Sequence, residues 1–352
     1  MPWSWRSRVH VADPAVRVRD LEVRFQSRRL FGPKTEARAV DGVSFDIAPG
    51  EVFCIAGESG SGKTTLGRAL LGLVEPHAGS LEVDGVDPSN LDHKGLRAFR
   101  RRAQMIFQDP MGALNPRQTV YEAVAEPVRI HNLAGSEEEI VASALTRVGL
   151  RPPERFFFTY PHELSGGQRQ RVVIASGLVL RPRVVVADEP VSMLDASVRG
   201  EILKLLFDLK AEMGLTLILI THDLGFAWAI ADRVAIMYLG KIVEMGPAED
   251  ILTDPMHPYT KALLSVAPEV GRRTTLQVLT GEPPDPTRIP SGCRFHPRCP
   301  VVASGEAGAL EDKNRTEVPE LDELRPGHLV ACHVASAAQL SQLSGSHREP
   351  HG

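Results

Sequence analysis

The chain has 352 residues, room for one large domain with an appendage or for two modest domains. Apolar residues make up 43%, enough for a substantial core, and the net charge of −4 lends no support to a nucleic-acid partner. No stretch of eighteen consecutive apolar residues exists, so no helical membrane span is expected.

The N-terminus, Met1-Pro2-Trp3-Ser4-Trp5-Arg6, lacks the apolar segment of a secretory signal, and residues 1–15 read as an extension. Residues 16–56 alternate and turn like a sheet, ending in the apolar run Val52-Phe53-Cys54-Ile55-Ala56. Gly57-Glu58-Ser59-Gly60-Ser61-Gly62-Lys63-Thr64-Thr65 follows and fits GxxxxGK[ST] at every fixed position. A helical pattern comes next, with Leu66, Ala69, Leu70 and Leu73 at spacings of three and four. Residues 80–83 form a short strand pattern closed by Asp84-Gly85. From about 93 to 182 the pattern is mainly helical and broken by prolines, which predicts an inserted helical subdomain.

Strand patterns return at residues 184–187 and 216–221, with the core stripe Ile202, Leu203, Leu205, Leu206 and Leu209 between them. Residues 234–238 and 241–244 flank Leu239-Gly240 and predict a hairpin. Past Pro255 prolines cluster and three of the four cysteines appear. That change marks a small C-terminal module over 268–335, with a disordered tail at 336–352. The whole reads as an α/β fold: a nucleotide-binding core over 16–267 with a largely parallel sheet and an N-terminal antiparallel β subdomain. Cys54 lies in a predicted core strand, so the cysteines do not resemble a disulfide framework, and a cytosolic protein is expected.

Strand, glycine loop and helix in succession are the context in which backbone N–H groups of residues 57–65 turn inward around a polyphosphate. Gly57, Ser59, Gly60, Ser61, Gly62, Lys63, Thr64 and Thr65 are therefore the candidate nucleotide cradle. Lys63 is expected to reach the β- and γ-phosphates, and the Thr64 hydroxyl to ligate Mg²⁺. The strand at 184–187 ends in Asp188-Glu189. Asp188 is expected on Mg²⁺, and Glu189 as general base toward an attacking water.

Leu164-Ser165-Gly166-Gly167-Gln168 before Asp188, Ser192-Met193-Leu194-Asp195 after it, and His222 at the end of a core strand complete a set. With the glycine loop, these motifs make residues 16–250 resemble the ATP-binding cassette (ABC) ATPases, which are P-loop NTPases with a RecA-like core. The resemblance implies that Ser165, Gly166, Gly167 and Gln168 contact ATP held by a partner subunit, with Asp195 at the dimer seam. It implies that Gln108 senses Mg²⁺ and water, that His222 contacts the γ-phosphate and that Phe25 stacks on adenine. One departure is Ile174-Ala175-Ser176-Gly177, where the family usually has a basic residue after the alanine.

Further segments resemble the ATPase subunits of oligopeptide, dipeptide and nickel importers: 107–117, Tyr160-Pro161-His162-Glu163, His257-Pro258-Tyr259-Thr260-Lys261-Ala262-Leu263, Gly281-Glu282-Pro283-Pro284, and 292–300. Arg68-Ala69-Leu70-Leu71-Gly72-Leu73 is similar to the second ("F-type") ATPase of the pair. The resemblance implies a peripheral protein on the cytoplasmic face of the cell membrane, hydrolysing ATP in a heterodimer with a homologous ATPase. Two integral-membrane permease subunits and, indirectly, an extracytoplasmic solute-binding protein are the implied partners, with residues 109–135 facing the permease. Readings of a different class are a soluble ABC ATPase acting on ribosomes or DNA, and a metal- or redox-sensing regulatory ATPase. Some relatives hold an iron–sulfur cluster on four cysteines of the C-terminal module. Here Cys293, Cys299 and Cys332 are present, Glu306 stands near the remaining position, and His296, His328 and His333 are the alternatives for a zinc site.

Overall fold

The computed structural model describes residues 13–26, 35–265 and 284–345. Residues 1–12, 268–283 and 346–352 of the expected extension, module and tail, including Gly281-Glu282-Pro283, lie outside the described residues.

Eleven strands occur among the described residues, in two sheets. The smaller sheet is antiparallel, order β2-β1-β4, from β1 (Val16–Gln26), β2 (Glu36–Ile47) and β4 (Ala78–Val83). The larger has the order β10-β11-β9-β8-β3-β7-β6-β5. Its parallel part comprises β5 (Ala103–Ile106), β6 (Val184–Asp188), β7 (Thr216–Thr221), β3 (Val52–Ala56) and β8 (Arg233–Tyr238). β9 (Lys241–Pro247) returns antiparallel on β8 through the Leu239-Gly240 turn, as the hairpin pattern predicts.

Both faces of the parallel sheet are covered, which is why its strands read as continuous apolar runs. On β3, Val52, Cys54 and Ala56 enter one core and Phe53 and Ile55 the other; on β7, Leu217 and Leu219 oppose Ile218 and Ile220. One core joins that face to the helical layer: α4 (Val120–Ile130), α5 (Glu137–Arg147), α6 (Gly166–Leu178) and α7 (Ala196–Met213). The other joins the opposite face to α1 (Lys63–Leu70), α2 (His93–Arg102) and the small sheet.

The segment expected as helical from 93 contains a strand. β5 follows α2 without a break: Ala103 caps the helix in extended conformation and is the first strand residue. Four residues with no turn signal are too few to show a change of period. The helical layer proper begins at α3 (Pro110–Ala113). Ser176, at the departure noted above, donates its hydroxyl to the Ala123 carbonyl at 3.1 Å and so ties α6 to α4.

α8 (Leu224–Ile230) connects β7 to β8, and α9 (Ala248–Thr253) and α10 (Pro258–Ser265) follow β9. The C-terminal residues supply α11 (Pro300–Ala303), α12 (Glu311–Thr316), β10 (Asp322–Arg325) and β11 (His328–Val330). Rather than standing apart, they extend the main sheet, with Leu329 opposite Met245 and Val330 opposite Glu244. Buried Glu244 secures the join: it accepts from the Met256 and His257 backbone N–H groups and is paired with His328 Nε2 at 2.8 Å. The expectation of a disordered tail from 336 is corrected over its first residues. α13 (His333–Gly345) runs through them, with Ala335 buried against Val330 and Cys332.

Candidate active site

Residues 57–62 connect β3 to α1 in left-handed steps: φ is +148° at Gly57, +77° at Gly60 and +104° at Gly62. A Cβ on Gly57 would stand 2.2 Å from the Met237 carbonyl oxygen, and one on Gly62 would stand 2.0 Å from that of Ala39. The loop is thus pressed between the ends of β8 and β2, where side chains do not fit. The Gly240 N–H donates to the Ser61 carbonyl at 2.9 Å, so the hairpin turn also supports the loop.

Lys63 is buried, and its Nζ donates to the Gly57 carbonyl (2.8 Å), the Glu58 carbonyl (2.7 Å) and, more distantly, Ser61 Oγ (3.4 Å). Burial lowers its pKa, against the opposing pull of Glu189 and Asp188. An ammonium satisfied only by carbonyl and hydroxyl oxygens gains a stronger, charge-assisted partner when a phosphate enters the loop. Thr64 Oγ1 donates to Asp188 Oδ1 at 3.0 Å across the gap between α1 and β6. Burial raises the Asp188 pKa, and the Thr64 hydrogen bond partly offsets this. Two hard oxygen donors meeting beside the glycine loop fit Mg²⁺, which would draw the Asp188 proton equilibrium back toward carboxylate.

Glu189 takes φ +45°, with its N–H donating to the Ile220 carbonyl at 2.8 Å. This turn separates its carboxylate from that of Asp188. Gln108 Nε2 donates to Glu189 Oε2 at 2.9 Å, and His222 Nδ1 lies 2.9 Å from Glu189 Oε1. Gln108 after β5 and His222 after β7 thereby converge on the one carboxylate that follows β6. Gln108 has no bond to Thr64 or Asp188 among the described residues. A cavity of about 710 Å³ is lined by Phe25, Gly57, Ser59, Gly60, Gly62, Lys63, Thr64, Thr65, Gln108, Glu189 and His222. Phe25, next to last in β1, borders the cavity with 48% of its surface exposed.

Ser165 to Gln168 are elsewhere. Ser165 caps α6: the Gln168 N–H donates to its Oγ at 3.3 Å, and Gln168 Oε1 accepts from the Ser165 N–H at 2.9 Å. The reciprocal box leaves Ser165 exposed at the helix N-terminus. Asp195 caps α7 nearby without a side-chain bond to that helix and is exposed too. None of these residues lines the cavity that holds Lys63.

The cysteines form no metal site. Cys293, Cys299 and Cys332 are buried, and among the described residues no group of three His, Cys, Asp or Glu side chains is arranged to hold an ion. Burial pushes the Cys293 thiol up to about 12 and raises the other two. The histidines are engaged elsewhere: His296 with the Cys293 carbonyl, His328 with Glu244 and His333 with the Glu317 carbonyl. Glu306 is exposed. The residues present do not fit a zinc ion or an iron–sulfur cluster.

Two residues at the site carried no chemical expectation. Tyr259 hydroxyl accepts from the Glu58 N–H at 2.9 Å, and Arg298 forms a two-point ion pair with the Glu58 carboxylate. Their segments were conspicuous as family marks, but spacing alone could not place them against the glycine loop.

A parallel sheet ending in a phosphate loop, a paired Thr–Asp and a polar-bridged glutamate defines a P-loop nucleoside triphosphatase. The family model for ABC transporters matches residues 40–192, and that for the oligopeptide/dipeptide transporter C-terminal region matches 243–305. A "Probable peptide ABC transporter ATP-binding protein y4tS" of Sinorhizobium fredii is 46% identical over 88% of this chain and 86% of its own length. The "Oligopeptide transport ATP-binding protein AppF" of Bacillus subtilis is 43% identical over 91% of this chain and 97% of its own. Among solved structures, the dimeric post-hydrolysis state of the ATP-binding cassette MJ0796 with ADP and Pi is similar at TM-score 0.58 and 28% identity. It is matched over 66% of this chain and 98% of that one. The chain belongs to the ABC transporter ATP-binding proteins, in the branch carrying the oligopeptide/dipeptide transporter C-terminal region, and is an ATPase.

Proposed function

We propose that this ATPase powers import of di- or oligopeptides as one of two homologous ATP-binding subunits beneath a pair of permease subunits, on the cytoplasmic face of the membrane. The relatives' names supply the cargo class. The observation that carries the paired arrangement is the division of the site. The loop, Lys63 and Glu189 line one cavity, whereas Ser165, Gly166, Gly167, Gln168 and Asp195 lie outside it, with Ser165 and Asp195 exposed. Each protomer has half of what an enclosed triphosphate needs: a cradle on one side and a helix N-terminus aimed outward on the other.

In this reading Lys63 and the loop amides hold the polyphosphate, and Thr64 and Asp188 hold Mg²⁺, which neutralises phosphate charge when bound. Glu189 accepts the proton of the attacking water; Gln108 and His222 fix its carboxylate, and Phe25 stacks on the base. Exposed apolar side chains in the helical layer suit docking to a membrane partner: Met111, Tyr160 and Phe158, the last 85% exposed. Among the described residues no helix is long and apolar enough to cross a membrane, so partners would provide the passage. The resemblance carried by residues 68–73 favours the second ATPase of the pair.

The test is affinity purification of a tagged Glu189→Gln chain from detergent-solubilised membranes with ATP and Mg²⁺. The expected companions are a second ABC ATPase and two permease subunits. The same complex assembled with the parent chain, in liposomes, should hydrolyse ATP faster with a peptide-loaded binding protein. Recovery of ribosomal proteins without a permease would refute the transport reading.

A further inference from the structure

Glu58 is the second residue of the phosphate loop, and every polar group it has is committed. Its N–H donates to Tyr259 hydroxyl at 2.9 Å. Its carbonyl accepts from Lys63 Nζ at 2.7 Å and from the Ser61 N–H at 3.3 Å. Its carboxylate accepts from both Arg298 terminal nitrogens, at 2.7 and 3.1 Å. The Arg298 side chain is 6% exposed and that of Glu58 24%, so water screens this pair poorly.

The arginine is rigidly supported. It closes the short turn His296–Arg298, and the Tyr238 hydroxyl accepts from its Nη1 at 3.4 Å. The neighbouring Phe295 ring packs on Tyr238 and Tyr259, each with centroids 5.3 Å away. Arg294 donates to the Leu239 carbonyl and to Asp41, fastening the same turn to the β8–β9 hairpin. Residues 284–286 line one cavity together with residues 58–61 of the loop, and Pro286 also borders the nucleotide cavity.

A carboxylate in a loop that must receive several phosphate charges is repulsive unless neutralised. We propose that Arg298 is a positioning residue for ATP: it cancels the charge that the phosphate loop itself carries and holds Glu58, and through its carbonyl Lys63, in the receiving conformation. The C-terminal module thereby sets nucleotide affinity from behind the loop, without touching the ligand. The inference rests on residues 57–65 being the polyphosphate cradle.

Calorimetric titration of the full chain with ATP and with ADP, in Mg²⁺, tests it. Arg298→Gln should raise both dissociation constants about tenfold, within the range of ordinary coupling between sites. The double variant Arg298→Gln with Glu58→Gln should return to within about threefold of the parent, because the bare carboxylate is gone. A merely structural role predicts that the double variant is no better than the single. Parent-like affinity in Arg298→Gln, or no recovery in the double variant, overturns the proposal. If the single variant does not fold, the double variant decides alone: folded with parent-like affinity supports the proposal, unfolded or tenfold weaker refutes it. Lys63→Ala is the control for the cradle; unchanged affinity there would sink the cradle reading itself.

Discussion

Replacing Glu189 by glutamine isolates proton acceptance from geometry. The carboxylate offers roughly four lone-pair positions. Gln108 Nε2 and His222 Nδ1 occupy one on each oxygen, at 2.9 Å each, leaving each oxygen able to engage a water. A glutamine keeps both contacts: its carbonyl accepts from Gln108, and its amide donates to His222 Nδ1 in the tautomer protonated at Nε2. The backbone, at φ +45° with its N–H on the Ile220 carbonyl, is unaffected by the change of one terminal atom. Stability should therefore change by less than about 1 kcal/mol, the scale of a single net hydrogen bond. Turnover should fall by about 10²- to 10⁴-fold, the usual contribution of a general base. ATP affinity should persist, so the ATP-bound pair of subunits accumulates. Phosphate release measures the first effect, and light scattering of the purified subunit pair with and without ATP the second. Turnover within tenfold of the parent would remove Glu189 from the role of base.

Other substitutions examine the remaining parts. Thr64→Val keeps the shape but removes the donor to buried Asp188; stability should drop by about 1–3 kcal/mol in denaturant melts. The same variant should lose the enhancement of ATP binding by Mg²⁺. Ser165→Ala breaks the reciprocal cap of α6, costing about 1 kcal/mol, and should abolish ATP-induced association while leaving nucleotide affinity of the isolated subunit unchanged. His257 is fully buried, and burial brings its pKa down to about 4, Glu244 opposing and Lys261 assisting. The unfolded chain then binds the extra proton between about pH 6.5 and 4, so its stabilising contribution is complete above that window and declines as pH falls through it. The loss reaches about 3 kcal/mol at the lower end. Urea midpoints at pH 4.5 and 7 should differ less in His257→Asn than in the parent; an unchanged difference would assign the pH sensitivity to other groups.

Chemistry that follows from local order is legible in one dimension. GxxxxGK[ST] needs only strand, loop and helix in succession, and those were visible in the run Val52–Ala56 and the stripe beginning at Leu66. Asp188-Glu189 at the end of an apolar strand likewise pointed to a carboxylate beside the glycine loop, where Thr64 meets Asp188. Tertiary structure decided what depends on crossing distances. Gln108 and His222 lie 81 and 33 positions from Glu189, and only parallel alignment of β5, β6 and β7 brings them both to its carboxylate. β5 is not legible in the sequence because four residues fused to a helix show no period of their own. The contact between Arg298 and Glu58 spans 240 positions and depends on the C-terminal strands joining the sheet edge. Pattern in one dimension reports which face of an element is apolar; which distant charges meet is set by how the elements pack.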